Sequence, residues 1–288
     1  MSMIIDSETN FVYFSRLLTT EEKYKPFWER LEPELKKYGI SNGFIDGTRD
    51  IWCRDYMPVQ VSEKEFCQFQ FFPDYYLRPK WIHKLTISHE VVVDYDFHKK
   101  DSLIILDGGN IVKSKSIAII SKKILTDNKY RSKDTMIKNI TRLLDVKDVI
   151  LIPKLPYDET GHADGMVRFI NDKKLIYSDF TAQSASWQRQ FYKAINDIGI
   201  ETESFPYFET GEKNKDGAYT AKGCYINFAQ IGNKILLPQF GSDNYDSEAV
   251  SKAEKLFPAP DFKVIPINAN EIAEDGGVLN CITWNVKK

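Results

Sequence analysis

No apolar run in this 288-residue chain approaches the roughly 18 residues needed to span a bilayer. The first ten residues lack a basic segment followed by an apolar one, so a secretory signal is not expected. Cysteine is scarce: four residues, at 53, 67, 224 and 281, with no C-x-x-C pair. That excludes a disulfide framework and leaves reduced thiols as the default. Neither charge sign dominates, since 39 Lys plus Arg face 41 Asp plus Glu for a net charge of -2. Such a balance carries no nucleic-acid footprint and no polybasic membrane patch. A cytoplasmic protein without nucleic-acid or membrane partners is therefore expected. What is abundant is aromatic: 18 Phe, 15 Tyr and 5 Trp, suited to a packed interior or a stacking pocket. The length allows one large domain or two small ones. No linker or composition shift divides the chain, so a single domain over 1–288 is expected.

The chain alternates short apolar runs with amphipathic stretches. Phe11-Val-Tyr-Phe-Ser15 reads as a strand, followed by a capping box at Thr19-Thr-Glu-Glu22 and a helix to about residue 37 with Phe27, Leu31 and Leu35 on one face. Strands are expected at 58–61, 66–72, 102–106, 117–120, 148–152, 166–170, 175–178, 200–205, 224–229, 234–240 and 263–267, with helices near 132–144, 184–198 and 247–257. The aromatic stretch 74–99 offers one weak helix, near 78–89. The last residues, Cys281-Ile-Thr-Trp-Asn-Val, have strand propensity behind a Gly-Gly turn.

Strand, strand, helix, strand recurs, and each unit begins at a polar, glycine-marked junction. Taking Asp55, Gly109, Ala163, Cys224 and Gly277 as anchors, the intervals are 54, 54, 61 and 53 residues. A period of that size with mixed content marks a repeat architecture. The fifth unit lacks its helix and last strand, which residues 11–48 supply. The strand carrying Cys281 is therefore expected beside the N-terminal strand, closing a ring without exposed edges.

Closure would gather the junction residues: Trp52, Arg54 and Asp55; Asp107 and Asn110; His162 and Asp164; Asn227; Cys281. A thiol and an imidazole supply a nucleophile and a general acid/base. Several carboxylates beside them suit a cationic substrate, because a guanidinium pairs with carboxylates through parallel N–H groups. Its charge would also favour the thiolate.

Five motifs in order resemble the agmatine deiminase and Porphyromonas-type peptidyl-arginine deiminase family of guanidine-modifying enzymes. They are Trp52-Cys-Arg54-Asp55-Tyr-Met-Pro58, Asp107-Gly-Gly-Asn110, Thr160-Gly-His162-Ala-Asp164 with Arg168-Phe169, Tyr225-Ile-Asn227-Phe228 with Pro238-Gln-Phe-Gly241, and Gly276-Gly-Val-Leu-Asn-Cys281-Ile-Thr283. The resemblance implies an α/β fold, a five-bladed αβ propeller (the pentein fold) of ββαβ modules. It implies that Cys281 attacks a guanidinium carbon held by Asp55 and Asp164. His162 then protonates departing ammonia and activates water against the covalent thiouronium. Trp52, Arg54, Asp107, Asn110 and Asn227 fall to substrate binding, with Arg54 as a brace for Asp55 or a partner for a substrate carboxylate. No metal or organic cofactor is implied. The expected partners are a small guanidino substrate, agmatine or an arginine derivative, and a second copy of the chain in a homodimer. The chain departs from the family at Asn280, where histidine is common, at Asp107 in place of glutamate, and at Met57 in place of glycine. Its N-terminal segment also lacks the family's Trp-rich entry motif. These departures bear on which substrate is taken more than on the reaction class.

Plain structural roles compete at every position. Cysteine is often simply buried. Asp55 and Asp164 also fit turn caps or partners of Arg54 and Arg168, Asp107-Gly-Gly is a common turn, Asn227 fits a strand end, and Trp52 fits core packing. His-x-Asp can ligate a metal, but the other histidines (83, 89, 98) lie in the aromatic stretch, away from the junctions. Amidino transfer and non-enzymatic binding are the other functional classes, the second disfavoured by the Cys281 and His162 pair.

Overall fold

The computed structural model describes residues 3–288. They form a mixed α/β chain that divides into two compact units. The first comprises residues 3–5 with Asp55–His89 and Tyr95–Ser204; the second comprises Asp6–Arg54, Glu90–Asp94 and Phe205–Lys288.

One strand grammar recurs in five small sheets. In the first unit, Val59–Gln60 pairs antiparallel with Glu65–Gln70, which pairs parallel with His98–Ile105. Likewise Val112–Lys113 pairs antiparallel with Ile117–Ser121, and that strand parallel with Asp148–Ile152. The next sheet orders Val167–Asn171, Lys174–Ser178 and Glu201–Phe205, its hairpin again antiparallel. In the second unit, Ala229–Ile231, Lys234–Gln239 and Lys263–Asn268 repeat the antiparallel-then-parallel order. In the last sheet the C-terminal strand Trp284–Val286 pairs antiparallel with the N-terminal Phe11–Ser15, and that strand pairs parallel with Ser41–Asp46. The expected meeting of the two chain ends is thus observed.

A parallel return needs a crossover, and in four sheets a helix provides it. Lys133–Leu144 buries Met136, Ile140 and Leu144, four residues apart on one face. They join a core with Ala118, Ile120, Leu106 and Cys67. Removing three such side chains from water contributes about 1.5–3 kcal/mol each. Ala185–Asn196 is capped by the Ser184 hydroxyl, which accepts from the Trp187 N–H, and buries Trp187, Phe191 and Ile195. Lys25–Lys37 buries Phe27, Leu31 and Leu35, and continues through Pro33. Asp243–Leu256 completes the set.

Four local expectations need correction. The capping box at Thr19–Glu22 does not form: a short helix, Leu17–Thr20, occupies the site, its Leu17 N–H met by the Ser15 hydroxyl at 3.2 Å. The long helix begins at Lys25, with Pro26 in its first turn, where a missing N–H costs nothing. The 78–89 stretch is not a helix. It holds the single 3-10 turn Ile82–Lys84, and Val92–Val93 then joins the edge of Ser41–Asp46. Pro73 and Pro79 flank a run without helical periodicity, and tertiary contacts of its aromatics decide its path. Cys224 and Cys281 each precede a strand instead of lying in one, since the strands start at Ala229 and Trp284. Local turn bonds hold both segments, Asn227 N–H to Cys224 O at 3.3 Å and Thr283 N–H to Asn280 O at 3.2 Å. Among the described residues, no helix is long and apolar enough to cross a membrane.

Candidate functional site

Every sequence-predicted site residue lies a few positions ahead of a strand, in a loop or a one-turn helix such as Cys53–Tyr56 or Gly108–Asn110, and not in the regular ladder. Such junctions can aim side chains freely because their backbone is held by specific bonds. The residues fall into two groups, one in each unit.

In the first unit, His162 is enclosed by carboxylates. Its Nε2 lies 2.9 Å from Asp107 Oδ2, and its Nδ1 lies 3.6 Å from Asp55 Oδ1. The chain approaches this closely because residue 109 is glycine. A Cβ there would lie 2.6 Å from Asp55 Oδ1 and 2.7 Å from His162 Nδ1. The Gly109 N–H donates to Asp55 Oδ1 at 2.8 Å, and the Gly109 carbonyl accepts from the Asp164 N–H at 3.1 Å. One residue thus ties three junctions together. Asp55, Asp107, His162 and Asp164 are all buried.

Burial works against the imidazolium, but Asp55, Asp107 and Asp164 outweigh it and raise His162 to about 10. Asp55 is itself pushed up to about 8, by its own burial first. Asp107 and Asp164 push the same way, while His162 and the Gly109 N–H pull against them. Asp55 and His162 therefore each bear on the other's protonation. Chemically, the cluster is a buried proton donor in an acceptor-rich setting, with room in its charge balance for a further cation.

Asn110, predicted to bind substrate, directs its Oδ1 to the Ser121 N–H at 2.8 Å, holding the end of strand Ile117–Ser121. Sequence reasoning missed Tyr75, whose hydroxyl donates to Asp107 Oδ2 at 2.9 Å. It also missed Lys123, a buried ammonium paired with Asp74 at 2.7 Å and Asp127 at 2.6 Å. Tyr75 sits in the run without periodicity; the only available signal was Asp74-Tyr75 directly behind Pro73.

In the second unit, the Cys281 thiol is buried and donates to Asn227 Oδ1 at 3.3 Å. The Asn227 carbonyl accepts the Asn280 N–H at 3.0 Å, so one asparagine fixes both the thiol and the peptide before it. Arg54 embraces the same turn. Its backbone N–H donates to Cys281 O at 3.1 Å and its Nε to Asn280 O at 3.3 Å. Its Nη2 reaches Thr283 Oγ1 at 3.4 Å and also Asn285 Oδ1. Trp52 packs its ring against Gly277, where a Cβ would come within 2.9 Å of ring carbons. Gly276 before it has φ +94°, a conformation that favours glycine. Cys53 is buried with its thiol on Ile282 O at 3.0 Å, a structural contact. Among the described residues, no group of three His, Cys, Asp or Glu is arranged to hold a metal.

The repeated sheets define a repeat α/β protein that carries a buried imidazole among carboxylates in one unit and a buried thiol in the other. Its sequence matches the profile of the Porphyromonas-type peptidyl-arginine deiminase family over residues 19–286. The chain belongs to that family. It is 26% identical to a Selenomonas ruminantium protein provisionally named agmatine deiminase, over 93% of this chain and 82% of that one. It is 26% identical to the agmatine deiminase of Medicago truncatula, over 62% of this chain and 56% of that one. The structure of a C. jejuni agmatine deiminase superposes with a TM-score of 0.73, at 17% identity, covering 100% of this chain and 96% of that one. At that identity the superposition speaks for the fold.

Proposed function

We propose that the protein is a guanidine deiminase, hydrolysing a guanidinium to a ureido group and ammonia, with agmatine as the favoured substrate. The observation that carries this reading is the buried His162, flanked through its two ring nitrogens by Asp107 and Asp55. A neutral acyl substrate would meet uncompensated carboxylates there, whereas a guanidinium supplies the missing positive charge and matching donors. Relatives named for agmatine deiminase support agmatine. The family's own name keeps an arginine side chain in a peptide as the second reading.

In this reading the five sheets are the blades of one five-bladed αβ propeller and one catalytic domain. Their common strand grammar and the pairing of the chain ends support that arrangement. Cys281 Sγ, as thiolate, bonds to the guanidinium carbon held by Asp55 and Asp164. The tetrahedral adduct then breaks its C–N bond, and the departing nitrogen leaves as ammonia with a proton from His162. The Nε2 proton is held by Asp107 at 2.9 Å. The Nδ1, 3.6 Å from Asp55, lies beyond hydrogen-bond range of it, and so carries the transferable proton. Neutral His162 next takes a proton from water as its oxygen attacks the thiouronium carbon. The C–S bond breaks as the remaining hydroxyl proton passes to solvent, and the neutral urea product and the thiolate are released. Asn227 positions the thiol, Trp52 lines the approach, and Arg54 and Asn110 act by holding the turns. The reaction as written calls on no metal or organic cofactor. Four cysteines present as thiols fit a reducing compartment, and the same reading puts the enzyme in the cytoplasm.

The test is ammonia release from agmatine, free arginine and an arginine peptide, with Cys281→Ser as control. Release from agmatine, lost in Cys281→Ser, is the expected result. No release from any of the three, or release that survives the substitution, overturns the proposal.

A further inference from the structure

We infer that Tyr75 is a positioning residue for this reaction: its hydroxyl, anchored through the Asp74–Lys123 ion pair, fixes the Asp107 oxygen that holds His162. The inference rests on His162 being the group that moves protons. Asp107 Oδ2 receives two donors, the Tyr75 hydroxyl at 2.9 Å and His162 Nε2 at 2.9 Å. The Tyr75 ring also stands edge-on to the imidazole, with centroids 6.4 Å apart at 70°. One residue therefore limits both the carboxylate and the ring that it steers.

Tyr75 belongs to a single 3-10 turn, Asp74–Tyr76, too short to place a half-buried aromatic by its own bonds. The anchors lie on either side. Asp74, with 71% of its side chain exposed, reaches Lys123, which is 5% exposed, at 2.7 Å. Lys123 is already paired with Asp127 at 2.6 Å, so its charge is compensated without Asp74. The second ion pair is thus free to locate the turn. Tyr76 packs edge-on against Phe71 at 6.2 Å on the other side.

The chemical consequence follows from sharing one oxygen. A carboxylate oxygen that accepts a hydroxyl proton has less charge to offer an imidazolium. Burial and Asp107 hold the Tyr75 hydroxyl well above its usual range, so it stays a donor throughout the working pH. The groups facing His162 are Asp55, Asp107 and Asp164 from three junctions, with Tyr75 beside them. Farther out, Asp127 feels Asp107 and is held by Lys123. Without the hydroxyl, Asp107 holds the Nε2 proton harder and stabilises the imidazolium, so the step that releases the Nδ1 proton slows.

The experiment is a ring-nitrogen NMR titration of His162, assigned with His162→Asn, in the wild type, Tyr75→Phe and Asp74→Asn. Where the midpoint passes the alkaline limit of the folded state, the same comparison is made on an Asp55→Asn background, which lowers it. The expected result is a midpoint raised by roughly half a unit in Tyr75→Phe, and by less in Asp74→Asn. With agmatine, kcat should fall by up to about threefold in Tyr75→Phe with KM unchanged. A midpoint that stays within about 0.1 unit in the folded Tyr75→Phe protein overturns the inference. Should Tyr75→Phe not fold, an unmoved midpoint in Asp74→Asn overturns it. A wild type that releases no ammonia fails the deiminase reading alone, because the titration needs no turnover.

Discussion

Asp55 Oδ1 stands 3.6 Å from His162 Nδ1, and the bare Cα of Gly109 lies against both. The glycine is needed for space and not for an unusual backbone angle, since it is absent from the positive-φ glycines. A methyl group at 109 would have to displace a buried carboxylate or a buried imidazole. Gly109→Ala should therefore destabilise the protein by about 1–3 kcal/mol, the range for overpacking a tight interior. It should also disturb the His162 ring signals. Urea unfolding measures the first effect, and an unchanged midpoint would show that the two side chains can part freely.

The acid cluster makes stability depend on pH in one direction. Asp55 is raised from the ordinary carboxylate range to about 8, so the native state holds a proton that the unfolded chain releases. That stabilisation is complete at low pH and is lost as pH rises toward 8. His162, raised to about 10, adds a contribution that is complete below the ordinary histidine range and lost as pH rises through 10. Unfolding free energy should therefore fall from pH 6 to pH 9, by about 1 kcal/mol or more. Asp55→Asn removes a buried acid that resists ionising, and should flatten the decline and match or exceed the wild type at pH 9. It also removes the strongest support for the imidazolium, so the His162 midpoint should drop. Denaturant titrations at the two pH values test the slope; a wild type more stable at pH 9 than at pH 6 contradicts it.

Much of this arrangement is legible in the sequence, for identifiable reasons. Strands such as Ile117–Ser121 and Asp148–Ile152 are short apolar runs between polar breaks, and tertiary packing agrees with their local preference. The junction residues can be found because a recurring chain period puts Asp55, Gly109, Ala163, Cys224 and Gly277 in equivalent places, with His162, Asn227 and Cys281 within a few positions of them. Two neighbours at these junctions, Arg54 and Asn110, have side chains engaged with the backbone of other segments, and residue type alone does not separate that role from substrate binding. Tyr75 lies beyond such reading altogether. Its partner Asp107 is 32 positions away, and the stretch between holds no α-helix to carry a pattern.

Gly277 and Trp52 offer a cleaner test of close packing, because one residue is all ring and the other has no side chain. A Cβ at 277 would fall on the indole, within 2.8 Å of one ring carbon and 2.9 Å of another. Gly277→Ala should cost about 1–3 kcal/mol in the wild type, and much less once Trp52→Ala has emptied the space. A double-mutant cycle by thermal unfolding reads the coupling. Equal costs in both backgrounds would mean that Gly277 is needed for something other than the ring.

Arg54 determines how firmly the nucleophile's turn is held. Its guanidinium fork spans Asn280 O, Thr283 Oγ1 and Asn285 Oδ1, while its own N–H meets Cys281 O at 3.1 Å. A lysine carries the same charge but cannot reproduce a planar fork over three acceptors. Arg54→Lys should therefore resemble Arg54→Gln, each costing about 1–3 kcal/mol through acceptors left unpaired. Because these acceptors bracket Cys281, both variants should also speed alkylation of that thiol by iodoacetamide, measured against Cys281→Ser. Full stability in Arg54→Lys would show that charge, and not the fork, is what the turn requires. Loss of stability with an unchanged alkylation rate would separate the fold of the tail from the exposure of its thiol.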